Sequence, residues 1–197
     1  DIIPYYGISE KIRFHMNGGT GFLVTDPTIL LDKDETYFNN YRETYDLLPS
    51  EPITFKNDDS VSAFQIFRIE KPPLDYEDFI DKLYVTVSTD IDPQSPMGAS
   101  SAAYIERIKP NKKYYYTFRS LDVHGQPSMP SPVYRIEMID DGATIFPIIE
   151  AFDFPTGEEL EARKKMPTRS FKKLFYIAPK FLHSFVNEEK GGFRNTT

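Results

Sequence analysis

The chain has 197 residues, 23 Lys and Arg against 30 Asp and Glu, a net charge of −7 and a pI near 5.0. This length suits one large domain or a domain with extensions, and 40% apolar content is enough for a core and too much for a disordered chain. No apolar run approaches the roughly 18 residues of a membrane span, the acidity argues against a dedicated nucleic-acid binder, and zero Cys excludes disulfides, thiolate metal sites and cysteine nucleophiles.

The start, Asp1-Ile2-Ile3-Pro4, lacks the basic and apolar regions of a signal peptide and is expected to open a processed piece. Residues 11–14 and 22–25 read as strands around a glycine-containing loop at 17–21. Residues 37–45 are polar and aromatic without a clear period. From residue 53 strand signals dominate, at 53–55, 63–70, 83–88, 114–119 and 133–139. Alternation puts Phe64, Ile66 and Arg68 on one face, with Phe67 and Ile69 on the other. It likewise groups Tyr114, Tyr116 and Phe118 away from Tyr115, and Tyr134, Ile136 and Met138 away from Arg135 and Glu137. Turn residues separate the runs at 57–59, 92–96, 110–111 and 124–127. Two stretches read as helical: 75–82, and 157–165, whose acids precede its bases and which Pro167 ends. Many short strands with polar turns predict an antiparallel β-sandwich.

Charge is uneven along the chain. Residues 1–50 carry four basic and eight acidic side chains, 51–100 four and ten, 101–150 six and six, and 151–197 nine and six. The acidic middle and basic tail are able to attract each other or a neighbouring subunit, although two solvated faces are the simpler reading.

Chemistry-bearing motifs are sparse. His15, His124 and His183 lie far apart in sequence, and Asp122 beside His124 is expected to serve its own turn. No nucleophile elbow, zinc-protease motif or phosphate loop is present, so loop 17–21 reads as a hairpin tip. Asp32, Asp34 and Glu35, then Asp58 and Asp59, then Asp75, Glu77, Asp78 and Asp81 read as exposed acidic loops, without calcium-loop spacing. Leu121-Asp122-Val123 spells an integrin-type tripeptide and Asn195-Thr196-Thr197 a sequon, both common by chance. A basic run of Arg163, Lys164, Lys165, Arg169, Lys172 and Lys173 is interleaved with Phe171, Phe175 and Tyr176. With Phe181, Leu182 and Phe185 these aromatics are too many to leave in water, each gaining roughly 1.5–3 kcal/mol on burial. Residues 171–186 are therefore expected to pack on the N-terminal segment or on a neighbouring subunit. No catalytic residue, cofactor or metal site is expected.

Ile108, Pro110, Tyr114, Tyr116, Phe118, Asp122, Gly125, Ser128, Pro130 and Ser131 form a pattern that resembles the end of a fibronectin type III domain. Phe64-Gln65-Ile66-Phe67-Arg68 is similar to that family's third strand. The resemblance covers residues 50–140 and lacks the family's usual Trp, whose space Phe55 is expected to fill. It implies a rigid turn at Pro110, a positive φ at Gly125 and a tyrosine corner at Tyr114, so that Tyr114→Phe costs more than Tyr115→Phe. Residues 115–134 and 171–179 also resemble fibronectin-like domains attached to capsid proteins of picorna-like RNA viruses of invertebrates.

The reading is a mainly β chain: an N-terminal segment at 1–47, an antiparallel fibronectin type III or immunoglobulin-like sandwich at 48–140, and a C-terminal extension at 141–197. The resemblance implies a non-catalytic structural domain of a non-enveloped RNA virus capsid or its surface projection, located in the virion. Its partners would be other capsid subunits or a host receptor, within an oligomeric assembly. The alternatives are an adhesion or receptor module of a cellular surface protein and, last, an enzyme with a pocket joining a His to carboxylates. Structural residues are Pro110, Tyr114, Tyr116, Phe118 and Gly125; interaction residues are Phe171, Phe175, Tyr176, Phe181, Lys172 and Lys173.

Overall fold

The alternation in the sequence builds antiparallel sheets. The computed structural model describes residues 2–4, 10–18, 22–56, 58–89, 101–165, 184–187 and 192–195, in two units, 1–155 and 156–197. The first unit runs β1 (Ile2–Pro4), β2 (Lys11–Asn17), β3 (Phe22–Thr25), α1 (Asp32–Thr44), β4 (Ile53–Lys56) and β5 (Val61–Ile69). A 3-10 turn (Tyr76–Phe79) follows, then β6 (Leu83–Ser88), β7 (Ser101–Arg107), β8 (Lys113–Asp122), β9 (Val133–Asp140) and β10 (Ile145–Phe152). One sheet has the order β1-β2-β7, a second β10-β9-β8-β5-β6, and β3 pairs with β4. The second unit holds helix α2 (Gly157–Lys165) and the pair β11 (Ser184–Asn187) and β12 (Gly192–Asn195). Among the described residues no helix is long and apolar enough to cross a membrane.

The central strands of the five-stranded sheet, β5 and β8, are buried on both faces. One face gives Phe64 and Ile66 of β5, Tyr114 and Tyr116 of β8, and Ile136 and Met138 of β9 to a core shared with Ile12, Phe14 and Met16 of β2. Phe14 lies against Tyr116 at 5.0 Å and Phe118 at 5.3 Å between ring centroids. The other face carries Phe67, Tyr115 and Val133 into a second cluster with Leu30 and Phe79. Tyr115 is thus as enclosed as Tyr114, at 3% and 4% exposure. Segments beyond the sheet cover the face that carries Tyr115. Among the described residues the Tyr114 hydroxyl makes no hydrogen bond to backbone; its ring is flanked by Arg68 and Lys112, each 5.4 Å from its centroid.

Serines and prolines account for how β8 meets the segment after it. The ladder between β8 and β9 spans only Lys113–Tyr116 against Tyr134–Glu137. Beyond it Pro127, Pro130 and Pro132 lack the N–H that a ladder needs. Hydroxyls substitute: the Phe118 N–H donates to Ser131 Oγ at 3.1 Å and the Ser120 N–H to Ser128 Oγ at 3.0 Å. In return the Ser131 N–H donates to the Phe118 carbonyl at 2.7 Å and the Ser128 N–H to the Ser120 carbonyl at 2.9 Å. Prolines elsewhere sit on edges, Pro4 in β1 and Pro147 in β10, where a missing donor breaks no ladder.

A stretch without a clear period in the sequence gains a structure, and two sequence expectations change. Residues 37–45 belong mostly to helix α1. Asp34 is not in an exposed loop: it lies in the first turn of α1 with 0% exposure. Phe55, on β4, packs edge-on to Phe38 of α1 at 6.0 Å, and Phe14 of β2 occupies the main core.

Ser131→Ala removes an acceptor that pairs a partly buried N–H, and is expected to lower stability by about 1–3 kcal/mol. Ser60→Ala, on an exposed loop residue, is the control and is expected to be near neutral. Urea unfolding of the two variants compares them; equal midpoints would remove this role from Ser131.

Candidate interaction groove

Residues 22–56 are inserted between β2 and β5 and carry helix α1 to the outer face of the five-stranded sheet. What docks the helix is charge. Arg119 of β8 donates through Nη1 and Nη2 to Asp34 Oδ2 and Oδ1 at 2.7 and 3.0 Å, and through Nε to Gln65 Oε1 at 2.7 Å. Gln65 stands directly across the β5–β8 ladder from Arg119. Asp34 Oδ2 also accepts the N–H groups of Leu30 at 2.9 Å and Leu31 at 2.8 Å. One carboxylate therefore satisfies the helix start and the guanidinium together, and both side chains of the pair are fully buried.

So anchored, the second half of α1 overhangs the end of β8. A groove of about 580 Å³ opens between them, lined by Tyr37, Tyr41 and Tyr45 from the helix and its end and by Asp58, Asp59 and His124. The tyrosines recur at intervals of four and share a helix face. Tyr41 and Tyr45 have ring centroids 4.6 Å apart, and Tyr45 is 62% exposed. Burial, then Tyr45, then Asp58 push the Tyr41 phenol above its ordinary value, so it stays protonated. A second depression, of about 470 Å³, is lined by Asn39, Arg42, Glu43, Asp46, Leu47 and Pro49 and offers no aromatic surface.

The far wall is the turn after β8. Gly125 adopts φ +81°, a conformation that strains a side-chain-bearing residue. Asp122 Oδ1 accepts the N–H groups of His124 and Gln126, each at 2.8 Å. His124 Nε2 lies 3.9 Å from Asp59, with side chains 68% and 50% exposed. This sets a histidine beside carboxylates, the arrangement an enzyme would use. However, the Ser128 hydroxyl donates to the Met129 carbonyl at 3.0 Å, and among the described residues no hydroxyl is bonded to His124. A solvated pair at that distance has neither the nucleophile contact nor the dry setting of acyl transfer.

A second charged cluster joins the two larger sheets. Arg68 of β5 bonds to Glu106 of β7, and its guanidinium lies 3.9 Å from the Tyr84 ring centroid. Glu106 is 2% exposed, and its Oε2 and the Tyr116 hydroxyl make no aligned hydrogen bond among the described residues, though they couple electrostatically. Burial raises the Glu106 carboxyl above the usual range, against the opposing pull of Arg68. Burial and the neighbouring Tyr84 hydroxyl push Tyr104 up to about 12.

Of the sequence-selected residues, Tyr114, Tyr116 and Phe118 belong to the core shared with β2. Pro110 is in the turn before β8, and Gly125 at the groove wall. Phe171, Lys172, Lys173, Phe175, Tyr176 and Phe181 lie outside the described residues, as do residues 19–21 of the glycine loop. The groove tyrosines and the Asp34–Arg119 pair were not selected from the sequence. An Arg inside a strand rich in aromatic residues, facing the same way as Tyr115, was the available signal. Compared with known families, curated proteins and solved structures, the chain matches none.

Asp34→Ala leaves a buried guanidinium unpaired and is expected to cost about 3–5 kcal/mol. Joint replacement, Asp34→Leu with Arg119→Met, is expected to cost less than the sum of the single changes. A double-mutant cycle in urea measures the coupling, and additive losses would show that the two side chains act separately.

The raised Glu106 pKa means that the folded chain holds a proton the unfolded chain has released. The contribution of this group to stability is then full below the ordinary carboxylate range and is lost as pH rises through the raised value. Glu106→Gln is expected to flatten that part of the profile. Unfolding midpoints measured from pH 4 to 7 check this, and an unchanged slope would assign it to other groups.

Proposed function

We propose that the chain is a non-catalytic structural and interaction domain, built as a fibronectin type III-like sandwich, that contacts its partners through the groove beneath α1. Strand order supports the fold. With the insertion β3–α1–β4 set aside, the first, second and fifth strands share one sheet and the third, fourth, sixth, seventh and eighth the other, a division that contains the partition of immunoglobulin-like sandwiches with an extra edge strand, β10. The two sheets also share one apolar cluster.

The observation that carries the function is the groove itself. Tyr41 and Tyr45 lie against each other at its rim with their rings tilted, Tyr41 half-buried and Tyr45 largely exposed, and tyrosine gives large contact area at low entropy cost. Concave surface, exposed aromatics and polar rim together are what a protein contact needs. The setting, a subunit of a non-enveloped RNA virus capsid or projection, rests on the similarity of residues 115–134 to such domains. In that setting the partner is another capsid subunit or a host receptor, and a capsid partner would be encoded in the same open reading frame.

Tiling the parent reading frame as 15-residue peptides against the full chain tests this. At least one tile is expected to bind and to slow hydrogen exchange in residues 37–45 and 120–128. If no tile protects those segments, the groove is not the contact surface for a partner encoded there.

A further inference from the structure

We propose that the groove receives a cationic side chain, an arginine of a partner polypeptide, held between the rings of Tyr41 and Tyr45 and the carboxylate of Asp58. This rests on the groove being the contact surface and names what enters it. The first support is geometric. Tyr41 and Tyr45 are one helical turn apart, with centroids 4.6 Å apart and planes inclined by 39°, so their faces form a tilted aromatic wall. Aromatic faces attract cations, and a guanidinium lies flat on them while donating sideways. Elsewhere in the molecule Arg68 adopts that arrangement over Tyr84, at 3.9 Å.

The second support is charge complementarity. Asp58, Asp59 and Asp122 line the groove against Lys56 and the single imidazole His124. Asp122 is spent on the turn, where its carboxylate accepts two backbone N–H groups. The Asp59 carboxylate lies 3.9 Å from the His124 imidazole. Asp58 is the one coupled to Tyr41, on the aromatic side of the groove. An acid beside a tyrosine pair favours a cation over an anion or a neutral ring. It disfavours the phosphates of a nucleic acid for the same reason.

N-acetyl-arginine N-methylamide, titrated into the isotopically labelled full chain and followed by NMR, tests the proposal. Saturable shifts confined to residues 37–45, 58 and 59 are expected, with no saturation by the citrulline analogue, which keeps the shape and loses the charge. Tyr45→Ala and Asp58→Asn, at solvent-facing positions, are each expected to weaken the probe about tenfold. Their unfolding midpoints, matched to the parent chain, separate lost binding from lost fold. Equal binding of arginine and citrulline, diffuse shifts over the acidic surface, or binding unchanged in both variants overturns the proposal. If a reading-frame tile protects the groove but the arginine probe does not bind, the contact surface stands and the cation pocket falls. If neither binds, both fall.

Discussion

Burial of β5 and β8 on both faces is the constraint from which the rest of the first unit follows. A strand enclosed on two sides must be apolar on both or supply each polar side chain with a partner. On the face shared with β2 the strands are largely apolar and the exception, Arg68, reaches Glu106 across to β7. On the other face Gln65 and Arg119 stand side by side, and Arg119 is wholly enclosed. An unpaired guanidinium there would cost several kcal/mol in desolvation. Only a carboxylate brought in from outside the sheet answers it, and the insertion brings Asp34.

The position of α1 then sets the surface. Its first turn is pinned, through Asp34, to the N–H groups of Leu30 and Leu31 and to β8. Its other end runs out beyond the sheet, where Tyr45 is largely in solvent. Beneath that overhang the chain after β8 cannot continue a regular ladder, because prolines interrupt it and serines bond in place of backbone. A helix held at one end and a turn held rigid by Asp122 bound the groove between them. Packing on one side of the sheet thereby produces concavity at its end.

What was legible in the sequence was whatever obeyed a period. The alternation at β5, β8 and β9 is plain because large apolar side chains repeat every second residue. Strand β7, Ser-Ala-Ala-Tyr-Ile-Glu-Arg, gave no such signal, since two alanines carry little contrast and its buried residue is the glutamate. Strand β10 was hidden by Pro147, which reads as a breaker unless the strand is known to lie on an edge. Helix α1 escaped for a more particular reason. Only Asp34 and Phe38 are buried along its length, so no apolar stripe exists to betray it. An acidic run at its start reads as solvated, and the groove tyrosines gain meaning only once the helix is placed.

Stability alone does not account for docking a helix by a buried ion pair. Apolar residues of similar volume in such places often leave stability unchanged or raise it. What the pair adds is direction. A bidentate fork fixes the angle and depth of the helix against the sheet, whereas an apolar stripe tolerates sliding and rotation of several degrees. The Gln65 bond to Nε fixes the plane of that fork. A helix whose outer end forms one wall of a groove has to hold that wall at a set distance from the turn opposite. Directional bonds at its root do this where nonspecific packing would not, and the cost of burying two charges is intelligible as the cost of a shaped surface.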